Sequence, residues 1–214
     1  MKPNIFVCGP SGRGKSTSMR NLDPATTVIL NTERKALPFR HAKRFDKNMH
    51  VTSLGQFQAL LRKALGNESI KTIVIESFTS LVEIVYQSTV DQTEGFEGWA
   101  QYYKAIEQIL LDSKRDDKTV IFLGLDDDIK DENGVFQKTI AVQGKWFGKV
   151  EKEFEIVLWA TIESTTEGSA YRFMTNSDGR NSAKSPMGMF YDKYIDNDLN
   201  NVLTTIEEYY NDEI

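Results

Sequence analysis

The sequence predicts an α/β fold: a mostly parallel central sheet flanked by helices, with an antiparallel addition near its C-terminal end. Three observations carry that expectation. Short β-branched and aromatic runs alternate with stretches whose apolar residues recur at helical spacing. A glycine-rich turn joins the first such run to the first helical stretch. Late in the chain, two β-rich runs are separated only by the polar link Glu163-Ser164-Thr165-Thr166-Glu167-Gly168, which reads as a hairpin connection.

In chain order, the first strand is Ile5–Cys8, and Leu22-Asp23-Pro24 ends the short helix that follows the glycine-rich turn. Strands are expected at Thr27–Asn31 and 51–53. Phe57, Leu60, Leu61, Ala64 and Leu65 then form one helix face. A strand at 72–75 precedes a second face, Phe78, Leu81, Val82, Val85 and Tyr86, and a third, Trp99, Tyr102, Tyr103, Ile106, Ile109 and Leu110. Strands at Thr119–Gly124, 156–161 and 171–175 follow, and Leu199, Val202, Leu203, Ile206, Tyr209 and Tyr210 close the chain as a last helix. All four stripes read as core faces. Residues 126–144 are the longest segment without clear structure, although Asn133-Gly134 has the composition of a hairpin turn.

Composition narrows the function. A chain of 214 residues with 40% hydrophobic and 27% charged residues reads as one domain spanning 1–214 that needs no disulfide or metal to fold. The single cysteine, Cys8, lies in the first strand, and the only histidines are His41 and His50, which argues against a Cys/His metal site. Met1-Lys2-Pro3-Asn4 runs straight into the first strand and no long apolar run follows, so the expectation is a cytoplasmic protein without a membrane partner. A net charge of −5 excludes a surface coated in positive charge for duplex DNA, but not a local groove. Arg34, Lys35, Arg40, Lys43, Arg44 and Lys47 cluster after the second strand, either as a solvated helix face or as a phosphate contact.

The glycine-rich turn is specific. Gly9-Pro10-Ser11-Gly12-Arg13-Gly14-Lys15-Ser16 fits G-x-x-x-x-G-K-[ST] at every fixed position and sits between a strand and a helix. Glycines let successive N–H groups turn inward around phosphate oxygens, and the helix start adds partial positive charge. Residues Gly9 to Thr17 (Gly9, Pro10, Ser11, Gly12, Arg13, Gly14, Lys15, Ser16 and Thr17) are therefore expected to bind ATP. Lys15 is placed to reach the β- and γ-phosphates and Ser16 to hold Mg²⁺. Glu76 ends the β-branched run Ile73-Val74-Ile75 and is the candidate second metal support. Glu33 follows Val28-Ile29-Leu30-Asn31-Thr32; in a parallel sheet the C-terminal strand ends gather at the ligand edge, so it is the candidate for activating water. Asp126 is the nearest polar side chain after the strand at Thr119–Gly124 and a weaker candidate for sensing the γ-phosphate.

Gly9 to Thr17 resembles the phosphate loop of guanylate kinases, but the Arg- and Tyr-rich region of that family is not found between Val28 and Gly66. The broader layout resembles the RecA-like core: Val28 to Glu33, then Ile75-Glu76-Ser77-Phe78, a long helix, and an apolar strand. With Gly144-Lys145-Trp146 and Lys184-Ser185-Pro186-Met187-Gly188-Met189-Phe190, it is similar to small phage-encoded AAA/RecA-like P-loop ATPases of the core-only, single-strand annealing or recombination type. The resemblance implies a Mg²⁺-dependent ATPase in the host cytoplasm, slow and dependent on DNA or on a homo-oligomer. It implies that Lys184, with Arg180, reaches a neighbouring subunit's nucleotide as a catalytic cation. Single-stranded DNA would then meet the loop at 87–98 or Lys130, Phe136, Lys138, Lys145 and Trp146, where lysines track phosphates and rings stack on bases. Phe136 and Trp146 read equally as caps on the core. Two departures stand out: Glu76 replaces the usual Asp, and the segment from Asp126 begins acidic where a DNA loop should be basic. A nucleotide-dependent switch or scaffold that binds a protein without DNA is the alternative, and a small nucleotide kinase a third.

Overall fold

The computed structural model describes residues 2–93, 95–130, 134–166 and 168–211. Its centre is an eight-stranded sheet. In chain order the strands are β1 (Ile5–Cys8), β2 (Thr27–Asn31), β3 (Asn48–His50), β4 (Thr72–Glu76), β5 (Thr119–Gly124), β8 (Ile156–Thr165), β9 (Gly168–Met174) and β10 (Tyr194–Asp196). The spatial order is β10-β9-β8-β1-β5-β4-β2-β3. From β8 to β3 every pairing is parallel; β9 runs antiparallel to both β8 and β10. The expected parallel core with an antiparallel addition is what forms.

Every residue of β1, β2, β4 and β5 is buried, which is why these strands read as unbroken apolar runs: helices cover both faces. Side chains alternate between the faces. Phe6, Leu30, Ile75 and Phe122 meet α1 (Leu54–Leu65), α2 (Phe78–Thr89) and α3 (Phe96–Asp112) on one side. Val7, Ile29, Val74 and Leu123 meet α4 (Leu199–Asn211) and the short helix after the glycine-rich loop on the other. Ser53 and Ser77 cap α1 and α2, their hydroxyls accepting from the N–H groups of Gln56 and Ser80 at 3.3 Å each. The start of α4 is tied to the loop helix by Arg20 donating to the Asn197 carbonyl at 2.6 Å and Asn21 donating to Asp198 at 2.5 Å.

Five expectations need correction. The helix after the glycine-rich loop is a 3₁₀ helix, Ser16–Asn21, too short to form a stable α-helical turn ladder before Pro24. The third strand is Asn48–His50 and not 51–53: it is the sheet edge, where Met49 and His50 face outward, while the buried Val51 turns the chain into α1. Half of the segment at 87–98 belongs to the ends of α2 (to Thr89) and α3 (from Phe96). Residues 126–144 contain a two-stranded hairpin, β6 (Asp126–Lys130) paired with β7 (Phe136–Ile140), although Asn133 of the expected turn lies outside the described residues. The basic cluster after β2 lies on an irregular loop with one 3₁₀ turn, Ala42–Arg44, and not on an α-helical face.

Candidate nucleotide site

The C-terminal ends of β1, β2, β4 and β5 open onto a cavity of about 460 Å³ lined by Ser11, Gly12, Gly14 to Thr17, Glu33, Lys35, Pro38, Glu76, Ser77, Gly124, Leu125 and Tyr171. Four residues singled out from the sequence, Lys15, Ser16, Glu33 and Glu76, therefore share one space. Gly9, Pro10 and Arg13 do not line it. The loop's path explains two glycines. A Cβ on Gly9, at φ 146°, would lie 2.7 Å from the Ala160 carbonyl oxygen, and a Cβ on Gly14, at φ 83°, would lie 2.9 Å from the Tyr171 ring.

Lys15 folds back across its own loop, its Nζ donating to the carbonyls of Gly9 (2.6 Å) and Pro10 (2.8 Å). Burial lowers its pKa, while Glu76, Asp126 and Glu33 oppose that shift. The Ser16 hydroxyl donates to Glu76 Oε1 at 2.5 Å. Glu76 is 8% exposed, and its other oxygen, Oε2, is buried without a hydrogen-bond partner. Burial pushes the Glu76 carboxyl up to about 7; Glu33 adds to the shift, and the Ser16 bond and Lys15 oppose it.

Glu33 differs in kind. Its Oε1 accepts from the Ser77 hydroxyl at 3.0 Å and its Oε2 from Lys35 at 2.8 Å. Partial burial raises its pKa, but the bonds from Lys35 and Ser77 bring it below the usual carboxylate value. Thr32 fixes the arrangement: its hydroxyl donates to the Ser77 carbonyl (2.7 Å) and accepts from the Ser77 N–H (2.8 Å), stapling the end of β2 to the end of β4. Ser77 and Lys35 were legible only as a residue after a strand and a member of a basic cluster. Tyr171 gave no signal, because nothing local links it to a loop more than a hundred residues earlier.

The residues fit a magnesium ion. Ser16 supplies a hydroxyl, and the orphaned Glu76 Oε2 is an oxygen that needs a cation or its water. Among the described residues no group of three or more His, Cys, Asp and Glu could hold a metal. Sparse protein ligation suits Mg²⁺, which keeps waters and takes phosphate oxygens.

The remaining candidates lie elsewhere. Asp126 is ion-paired with Lys138 at 3.2 Å, and Lys138 also pairs with Asp128 at 2.7 Å. Lys130 sits 4.7 Å from the centre of the Phe136 ring, which is 61% exposed. Lys145 lies over Tyr103, and Trp146 is 8% exposed, so its ring caps the core and is not open to a base. Lys184 pairs through its backbone with Val157, away from the cavity of its own chain; burial lowers its pKa, with Glu155, Glu151 and Glu153 opposing. The Arg180 carbonyl accepts from the Lys138 N–H at 2.8 Å. Cys8 is buried, and burial pushes its thiol well up, so it is inert. Among the described residues no helix is long and apolar enough to cross a membrane.

A family model described as an AAA domain matches residues 1–187. The fold is similar to that of a KaiC-like protein from the hyperthermophilic archaeon Pyrococcus horikoshii, at 12% identity and a TM-score of 0.50, over 81% of this chain and 77% of that one. The flagellar accessory protein FlaH from Methanocaldococcus jannaschii aligns at 10% identity with a TM-score of 0.45, over 91% of this chain and 84% of that one. No curated protein matches. The α/β fold expected from the sequence, a mostly parallel sheet with an antiparallel addition near the C-terminal end, is the fold observed, and it is shared with the KaiC-like protein.

Proposed function

This chain belongs to the AAA domain family, and from that we propose that it binds ATP with Mg²⁺ and hydrolyses it, residues 1–214 acting as one domain. The observation that carries the reading is the convergence of Lys15, Ser16, Glu76 and Glu33 on one cavity. Lys15 exchanges the Gly9 and Pro10 carbonyls for β- and γ-phosphate oxygens. Backbone N–H groups of residues 12 to 17 surround the phosphates. Ser16 and ionised Glu76 would hold Mg²⁺, which would supply positive charge against the phosphates. Glu33, held by Ser77, orients a water whose oxygen attacks the γ-phosphorus as the bond to the β–γ bridging oxygen breaks. The water's proton goes to Glu33, and ADP and phosphate leave.

The finer reading is a slow ATPase that works as a homo-oligomer on single-stranded DNA, as in phage recombination or annealing, with Lys184 or Arg180 offsetting charge at a neighbour's γ-phosphate. Its support is the resemblance in the motifs and the outward placement of Phe136 beside Lys130. A second reading, a nucleotide-dependent switch that binds a protein and no DNA, is favoured by the pairing of Lys138 with Asp126 and Asp128 and by the burial of Trp146.

The test is ATP hydrolysis by the purified protein, with and without single-stranded DNA. Lys15→Ala is expected to abolish it, and Glu33→Gln to slow it by ~10²–10⁴ while ATP still binds. Stimulation by DNA that vanishes in Lys15→Ala supports the DNA reading, and hydrolysis indifferent to DNA supports the switch. Unchanged hydrolysis in Lys15→Ala would refute the assignment of the site.

A further inference from the structure

We infer that Tyr171 is the platform on which the nucleobase stacks. The inference rests on the proposed phosphate site and extends it to the other end of the nucleotide. Strand order supplies the direction. Glu76, at the end of β4, and Glu33, two residues past the end of β2, mark the metal and the attacked phosphate and lie on one side of the loop that follows β1. The other side is formed by β8 and β9. With the γ-phosphate turned toward β4 and β2, the ribose and base extend toward β8 and β9.

Tyr171 stands there. It lies on β9, opposite Ile162 of β8, and lines the cavity. Among the lining residues it is the one aromatic side chain, and it is 48% exposed where most large apolar side chains of the sheet are buried. Its ring abuts Gly14 so closely that any Cβ there would fall 2.9 Å from Cδ1 and 3.3 Å from Cγ. The ring is thereby in contact with the loop that wraps the phosphates. A base attached through a ribose to phosphates on that loop comes within reach of it. A half-exposed ring in the cavity wall gains by covering its face, and a purine is the flat apolar partner the nucleotide itself brings.

The experiment compares binding of Mg·ATP, Mg·GTP and Mg·tripolyphosphate, the last having no base, to the full chain by titration calorimetry. Tyr171→Ala is expected to weaken ATP and GTP by about tenfold each and to leave tripolyphosphate unchanged. Tyr171→Phe, which keeps the ring and loses the hydroxyl, is expected to bind all three as the unmodified protein does. Unchanged ATP affinity in Tyr171→Ala, an equal loss for tripolyphosphate, or a loss in Tyr171→Phe would each overturn the platform. Failure of the unmodified protein to bind either ATP or tripolyphosphate would instead overturn the phosphate site, and the platform with it.

Discussion

Glu76 shows how one residue can cost stability and still serve a ligand. Its carboxyl titrates near 7 in the folded protein against 4.5 for the free side chain, because burial disfavours the charge. Between those values the folded state keeps a proton that the unfolded state releases. Stability of the nucleotide-free protein therefore falls as pH rises from about 4.5 through about 7, by a total on the order of 3 kcal/mol. Glu76→Gln, uncharged at every pH, is expected to flatten that slope, and urea denaturation at pH 5, 6 and 7 measures it; an unchanged slope in the variant would assign the pH dependence to another group. The same residue scale separates what was legible from what was not. Lys15 and Ser16 were readable because their role depends on six neighbours in sequence, and Glu33 and Glu76 because each directly follows or ends an apolar strand. The roles of Ser77 and Lys35 were not, since both depend on Glu33 being brought against β4.

At the scale of elements, strands buried on both faces were legible and edges were not. β5 illustrates the first case. Phe122 packs between Phe154 (5.3 Å between ring centres) and Phe78 (5.7 Å), with Phe6 stacked at 6.4 Å, joining the sheet to α2 and to the turn before β8. Phe122→Ala is expected to cost about 3–5 kcal/mol, because rings on several elements cannot all collapse into the space it leaves. A loss below 1 kcal/mol in urea denaturation would contradict this account of the core. β3 and the β6–β7 hairpin illustrate the second case. β3 exposes its side chains, so no apolar period announces it. The hairpin begins with three aspartates, a poor strand former in isolation. It is held by Lys138 reaching across to Asp126 and Asp128, and by Glu151 accepting from the Thr139 hydroxyl and, at 2.9 Å, from the Ile140 N–H. Those partners come from other strands and turns, and no local pattern encodes them.

For the molecule as a whole, the cavity lies where sheet and loop meet, so a ligand there couples to global stability. Mg·ATP at a hundred times its dissociation constant should add about 2.7 kcal/mol, which in a chain of this size raises the melting temperature by roughly 5–10 °C. Thermal denaturation with and without Mg·ATP measures the shift, and Lys15→Ala should show none. A shift of equal size in that variant would place the nucleotide elsewhere. By itself the sequence determined the α/β class, the four main helices, the strands of the core and the phosphate loop, because burial periodicity and glycine-dependent turns act over a few residues. Only the tertiary structure decided which strand lies beside which. That order turns Glu33 onto Ser77, buries Trp146, neutralises Lys138 and sets Tyr171 against Gly14, contacts between residues up to 157 positions apart that arise when the strands assemble into one sheet.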